Sequence, residues 1–522
     1  MAGEQEIDRA SDDDDADARR SPQRVDERRI AVVVGAATGL ALFALMVVSN
    51  LDLLSARIVP WGDSAANSLL VDRALEGRQL VGHYSRAQFS HPGPAFLYVQ
   101  AAGELVFHRW SGVATSPYAG WVLGVVALNA ALLGWVTGMV RRWTGSSHAA
   151  LLLPLLALLV NAWNPSTFVN EWGPTVIVVP FLVLLVSGAF LADHRWSALL
   201  PFTAALGLLV HGHLSSLLFA GAVALAVIAQ LWWSRRHGRR DAPTTREWVA
   251  PAVLAGLFAL PIVLHVLLDW PGELRKYLSY ARGNAGRTSG GLGEVADFVA
   301  GNLFHGPLQT LAVVVSLVVV LLLRTRLDDA TRAIVDRSLI VLAVATGAFL
   351  LYSWRTVDEL DLEYLGWFAM AIPVMVLWLG GLTVLVLARR SGPGVHEVVG
   401  VVGIIGIGLV AALTVDVENH NRGVGVLEGM VEEVAEEPTR LTFEAPSWPT
   451  AIGVLAGAVR EGAEVCLVDA SWEFMVTEDH LCTAADDARI VEVATPDAAI
   501  DPSPEDLLRT DGYALVLREP AR

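Results

Sequence analysis

Asp63 sits in the run Val59-Pro60-Trp61-Gly62-Asp63-Ser64-Ala65, shortly beyond an apolar stretch that ends near Asn50. A carboxylate there can take the proton of an attacking hydroxyl. Just above a bilayer it can meet both a lipid-tethered and a water-borne reactant. Its competing role is to N-cap a helix over Ser64 to Leu75. Further on come His83-Tyr84-Ser85-Arg86, then His91-Pro92-Gly93-Pro94 and Tyr98. Arg86, His91, Arg275, Lys276, Arg282 and Arg287 offer cations or donors for a phosphate, and Asn284 lies among glycines that leave backbone amides free. Headgroup contact and helix packing compete for Arg86 and His91, and plain solvation competes for the later cluster.

Two more motifs suit a sugar. Asn161 to Trp172 is a short polar and aromatic segment between apolar runs. Trp172 offers a flat apolar face while Asn170 and Glu171 take hydroxyls; interfacial anchoring explains the tryptophans as well. His211-Gly212-His213 can contact phosphate or sugar, since a zinc site would need a further ligand; paired turn histidines are the alternative. Glu363, in the run with Glu359 and Asp361, can hold an acceptor or simply be solvated.

The elements that position these residues are membrane spans. Of the 522 residues, 54% are hydrophobic and 17% charged, against roughly 25% charged in soluble proteins. Uncharged runs of about 16 to 25 residues match what a bilayer core demands of a helix. Spans are expected near 30–50, 118–140, 149–163, 174–192, 198–211, 214–233, 248–268, 307–323, 338–353, 365–388 and 398–415, about eleven in all. Alternate connections hold Arg141 and Arg142, Arg195, Arg235 to Arg240, Arg324 to Arg337, and Arg389 and Arg390. All fall on the side of the basic N-terminal arm, so that side is cytoplasmic by the positive-inside bias. Asp63, the other motifs and the tail from Asp416 then lie outside. Pro94 to Trp110 reads as one or two helices along the interface, because a crossing would break the charge pattern.

Three units follow: a disordered cytoplasmic arm (1–28), a transmembrane domain (29–415) in a plasma membrane, and an extracytoplasmic accessory domain (416–522). The last carries 23 acidic against 7 basic residues, nearly the whole net charge of −17, which argues against nucleic acid as a partner. Its pattern is α/β. A helix is expected over Ala451 to Arg460, strands at Glu464 to Val468, Arg489 to Val493 and Tyr513 to Leu517, and a helix start at Ser503 to Arg509. Both cysteines, Cys466 and Cys482, lie here, where oxidising conditions would permit a disulfide.

With its acidic first outer loop, the interfacial helices after it and the element His91-Pro92-Gly93-Pro94 with Tyr98, the chain resembles the C-type (GT-C) superfamily of membrane glycosyltransferases. It is similar in particular to actinobacterial polytopic members. The resemblance implies a GT-C-type membrane fold over residues 30 to 390. It also implies transfer of a sugar from a polyprenyl-phosphate donor to a glycan or glycoconjugate acceptor of the cell envelope, with inversion. Asp63 would be the base. Arg86, His91, Tyr98, His211, His213, Lys276, Arg282 and Asn284 would serve the donor, and Asn170, Glu171, Trp172 and Glu363 the acceptor. Many relatives carry paired acids, whereas Asp63 has no acidic neighbour; one carboxylate is a poor Mg or Mn site without other loops, so no metal ligand is assigned. The rival readings are an envelope lipid or solute transporter or flippase, which the lack of charges within the spans disfavours, and a non-catalytic scaffold whose tail binds a partner.

Overall fold

The computed structural model describes residues 4–238, 242–284, 290–416, 418–419, 426–483, 488–494, 506–509 and 513–518. Among them, nine helices are long and apolar enough to cross a membrane. Two shorter apolar helical segments, Ser147–Trp163 and Trp196–Gly212, occupy the remaining two expected positions. The protein is thus an α-helical integral membrane protein with a small C-terminal α/β unit. The first helix runs from Glu4 to Val48 and so continues through the arm expected to be disordered, although only Asp26–Val48 has the composition of a span.

Side-chain contacts draw the basic loops together at one end. Arg141 pairs with Glu27 at 2.8 Å, and Arg195 lies over the Trp143 ring. Arg390 donates to the Arg326 carbonyl, Arg337 donates to Ser234, and His148 reaches Glu397 at 3.6 Å. The two-ended charge pattern read along the chain is therefore matched by packing.

At the opposite end the loop after the first span folds into a helix, Asp63–Leu75, a short hairpin of β1 (Tyr84–Ser85) and β2 (Phe89–Ser90), and a helix Ala95–Gly103 that runs on to Trp110. That last helix lies close along Pro117–Thr144. A Cβ on Gly103 would stand 2.3 Å from the Gly120 carbonyl oxygen, so this approach requires glycine. The segment 269–306 contains two helices, Gly272–Asn284 and Leu292–Leu303, the first of which carries Arg275, Lys276 and Arg282 of the cluster for which plain solvation competes. Both have an amphipathic pattern that packing can use.

The C-terminal unit holds a five-stranded sheet in the order β4-β3-β5-β7-β6, with β3 Thr439–Phe443, β4 Val465–Leu467, β5 Arg489–Ala494, β6 Asp506–Arg509 and β7 Ala514–Arg518. β3 runs parallel to β4 and β5, and β7 antiparallel to β5 and β6. The helix Trp448–Arg460 covers it, as its spacing predicts. The expected helix start before Arg509 is replaced by β6, because the open edge of β7 offers backbone partners that outweigh a local signature. Cys466 and Cys482 are disulfide-bonded, with Cα atoms 4.9 Å apart.

The helix Asp63–Leu75 belongs to two bodies at once. Ala65, Ala66 and Leu69 are fully buried in the core of the C-terminal unit, among Leu427, Ile452 and Leu455. Backbone joins them too, since Gly62 N–H donates to the Pro449 carbonyl at 3.1 Å. Beneath, Arg460 pairs with Asp72 at 2.7 Å and reaches the buried Glu104 at 3.5 Å. Removing Arg460 leaves Glu104 less compensated in a dry environment, which costs roughly 3 kcal/mol. Arg460→Ala should therefore lower the thermal midpoint of the detergent-solubilised chain by several degrees, and Arg460→Met with Glu104→Gln should recover most of it. Equal losses in the single and double variants would count against the ion pair as the coupling element.

Candidate functional site

Asp63 is the first residue of its helix, not the cap. Gly62 holds the cap position at φ +57°, and no side chain bonds to the helix end there. The carboxylate is turned instead toward two donors. Tyr84 O–H donates to Oδ1, and Trp172 Nε1–H donates to Oδ2 at 2.8 Å. Each oxygen keeps a further lone pair for an incoming hydroxyl. Burial, followed by the Asp63 charge, pushes the Tyr84 phenol far above its ordinary range, so it stays a donor.

The half-buried carboxylate opens into a cavity of about 860 Å³. Its polar wall includes Arg86, His83, His91, His213 and Arg355, and Tyr277, Tyr280 and Tyr352 line another side. Leu217 and Leu278 also line it, and they are 50% and 57% exposed, an apolar flank level with the outer ends of the spans. Trp448, Trp472 and Phe474 of the C-terminal unit close the side away from the spans. On its other side Asp63 borders a smaller hollow of about 300 Å³ with Asn170 and Trp448.

The three cavity histidines are held by the hairpin and the turn after Gly212. Gly82 N–H donates to the His91 carbonyl and His91 N–H to the His83 carbonyl, both at 2.8 Å. Leu214 N–H donates to His91 Nδ1 at 3.3 Å, so the ring proton of neutral His91 is on Nε2. The His91 and His213 rings lie 4.3 Å apart. Burial lowers His83 and His213 to about 4, and burial together with His213 and His83 drives His91 well below the usual range. All three are neutral near pH 7. They can donate hydrogen bonds to a phosphate, so of the two roles open to His91, cation or donor, its burial leaves that of donor.

Two arginines, Arg86 and Arg355, line the cavity. Arg86 is tied to Asp358 and, at 2.8 Å, to Glu359. Arg355, at the outer end of the helix Asp329–Arg355, lies over the Trp354 ring at 4.0 Å. Among the described residues it has no carboxylate partner. The sequence reading passed over it, yet an arginine at the end of a span away from the basic loops is an exception to the positive-inside bias. That exception was the available signal.

Several expected site residues stand elsewhere. Glu171 is 1% exposed; it accepts from Ser64 at 2.5 Å and Tyr118 at 2.9 Å. Burial raises its pKa, and the nearby Asp63 charge adds to this. With Trp172 bonded to Asp63, the pairs Asp63-Ser64 and Glu171-Trp172 lace two segments together crosswise. Glu171 supports the site and does not face the cavity. Asn170 turns its Oδ1 to the Trp172 amide. His211 bonds the Phe258 carbonyl and the Ala95 amide, and Tyr98 donates to the Gln79 carbonyl. Lys276 pairs with Glu273 at 2.8 Å. Lys276, Arg282 and Glu363 do not line the cavity. Tyr277 and Glu273 from the same helix dock on Ser90, so this helix presents tyrosines inward. The side chain of Asn284, and Arg287, lie outside the described residues.

The fold, with its spans, the helices of the first loop and the C-terminal unit closing over them, is similar to that of a solved structure. That structure is ArnT from Cupriavidus metallidurans in the apo state. It is 14% identical, with a TM-score of 0.50, and the match covers 93% of this chain and 97% of that chain. That coverage extends beyond the spans into the C-terminal unit. No family model matches the sequence, nor does any curated protein.

The neutral histidines make a pH prediction. In the unfolded chain a histidine titrates near 6.5, in the folded chain His83 and His213 near 4. As pH falls through this window the unfolded chain takes up protons first, so stability is full above about 6.5 and is lost toward 4, by up to about 3 kcal/mol per residue. The thermal midpoint in detergent should fall between these pH values, and less steeply in His83→Gln and His213→Gln. Identical slopes in variants and parent would show that these rings are not neutral through burial.

Proposed function

We propose that the protein is an inverting glycosyltransferase of the plasma membrane. It moves a sugar from a polyprenyl-phosphate carrier to a glycan or glycoconjugate acceptor of the cell envelope. The observation that carries this reading is a carboxylate oriented by two donors on the wall of a large cavity with an apolar flank. The fold shared with the membrane glycosyltransferase ArnT supports it, and so does the first-loop resemblance, including that to actinobacterial members. By the positive-inside bias the N-terminus is cytoplasmic, and the cavity and C-terminal unit are extracytoplasmic.

In this reading the carrier enters past Leu217 and Leu278 with its tail in the bilayer. The acceptor hydroxyl lies against Asp63, which takes its proton as the oxygen attacks the anomeric carbon. The bond from that carbon to the phosphate oxygen breaks, and its electron pair leaves with the polyprenyl phosphate. Arg355 meets the added charge, and N–H groups of the neutral histidines contribute hydrogen bonds. Attack opposite the leaving group inverts the centre. Retention through a covalent intermediate would need a second, free carboxylate, and Asp358 is engaged by Arg86. A divalent cation at Asp63 would find a single carboxylate whose oxygens already accept from Tyr84 and Trp172, a poor donor set for a hard ion.

Membranes containing the chain, supplied with labelled polyprenyl-phosphate sugars, should yield labelled glycan. Asp63→Asn should reduce transfer by about 10²–10⁴-fold, the usual worth of a general base, at unchanged membrane level. Arg355→Ala should weaken use of the donor by roughly tenfold or more, as loss of a charge-assisted bond does. Undiminished product from Asp63→Asn would remove it as the base; flux of labelled lipid without any transfer would favour the flippase.

A further inference from the structure

At the end of the molecule opposite the cavity, three side chains from two helices converge. His148 stands on Ser147–Leu158, and His396 and Glu397 on Pro393–Thr414, the last span. One donor atom from each lies within 4.8 Å of the others, and His148 Nε2 is already 3.6 Å from Glu397 Oε2. We propose that these residues bind a divalent first-row transition ion, with Zn²⁺ as its representative, and that the ion clips the last span to the bundle.

The argument rests on how the imidazoles are held. His396 Nδ1 lies 3.1 Å from the Leu385 carbonyl. A carbonyl only accepts, so Nδ1 carries the hydrogen and the Nε2 lone pair is left for a ligand. A backbone carbonyl behind the ring is how metal-binding histidines are fixed in tautomer and orientation. The His148 ring is clamped against Gly400, where an added Cβ would come within 2.5 Å of it. Its side chain is 17% exposed, whereas Glu397 is 66% exposed and free to swing. Two imidazoles and a carboxylate form a donor set suited to zinc, with the fourth position left to water. Ligand bonds of about 2.1 Å put tetrahedral donor atoms about 3.4 Å apart, a rotamer-scale adjustment from the present spacing.

The clip falls where the bundle needs one. Only 11% of the most apolar stretch of the last span is buried. That span leads to the C-terminal unit, so its position bears on how the cavity is closed.

The test uses the full chain in detergent without a polyhistidine tag, stripped with EDTA and titrated with Zn²⁺. Calorimetry should show one ion per chain, and Co²⁺ in its place should give the intense visible bands of tetrahedral coordination. His148→Ala and His396→Ala should weaken binding at least tenfold, and Zn²⁺ should raise the thermal midpoint of the parent but not of these variants. Glu397→Gln, an exposed change that folding tolerates, should weaken binding and alter the Co²⁺ spectrum. Absence of stoichiometric binding in the parent, or equal affinity in all variants, would overturn the site and leave only a histidine–glutamate contact.

Discussion

Glu104 is a carboxylate almost without access to water, and much of the outer half of the molecule is arranged to compensate it. Trp121 donates to it at 2.7 Å, Arg109 forms an ion pair at 2.7 Å, and Arg460 reaches it from 356 residues further along the chain. The guanidinium of Arg460 also lies over the Trp121 ring at 4.9 Å and is shared with Asp72. Burial, opposed by Arg460 and reinforced by Glu104, lifts Asp72 to about 6. One arginine thus serves two acids. Buried charge is tolerated only when paired, so the C-terminal unit is bound to the interfacial helices by electrostatic necessity as well as by area.

That docking determines where the chemistry can sit. The helix beginning at Asp63 has one face in the core of the C-terminal unit, and its first residue faces the spans. Its position depends on both bodies. Trp172, from the segment between two spans, and Tyr84, from the hairpin, then fix the carboxylate from opposite sides. The cavity is the gap left between the bundle and the C-terminal unit, with leucines on one flank and Trp448, Trp472 and Phe474 on another. A reactant with a greasy tail and one with a soluble head can reach a common point only in such a gap.

Local signals in the chain carried the fold a long way. Uncharged runs and alternating arginine-bearing loops marked the eleven apolar helical segments found among the described residues, because hydropathy is a property of each segment alone. Asp63, Arg86, His91, His213 and Trp172 were also legible, since each lies in a polar patch at the end of a span. What escaped was set by distant contacts. The strand Asp506–Arg509 forms because an edge is waiting for it, and nothing in its own residues announces that. Glu171 has the composition of a sugar contact, yet Ser64 and Tyr118 turn it into the buried support of Asp63. The aromatic wall from Trp448 to Phe474 belongs to a unit whose sequence carries no catalytic motif, and only folding brings it over the first loop.

The missing second acid of the first loop also acquires a physical account. A pair of carboxylates side by side repel each other, and a cation relieves the repulsion while giving positive charge to a phosphate. With Asp63 alone, the same oxygens are satisfied by neutral donors, Tyr84 and Trp172, and no repulsion needs relief. In the proposed transfer, positive charge for the phosphate would then come from protein side chains. The buried histidines cannot supply it, since burial strips their protons near neutral pH. Arg86 is already balanced by Asp358 and Glu359. Arg355 is the cavity-lining arginine that, among the described residues, has no carboxylate partner. In the proposed transfer, the solitary acid and the arginine without a carboxylate partner among the described residues would be two parts of one electrostatic arrangement.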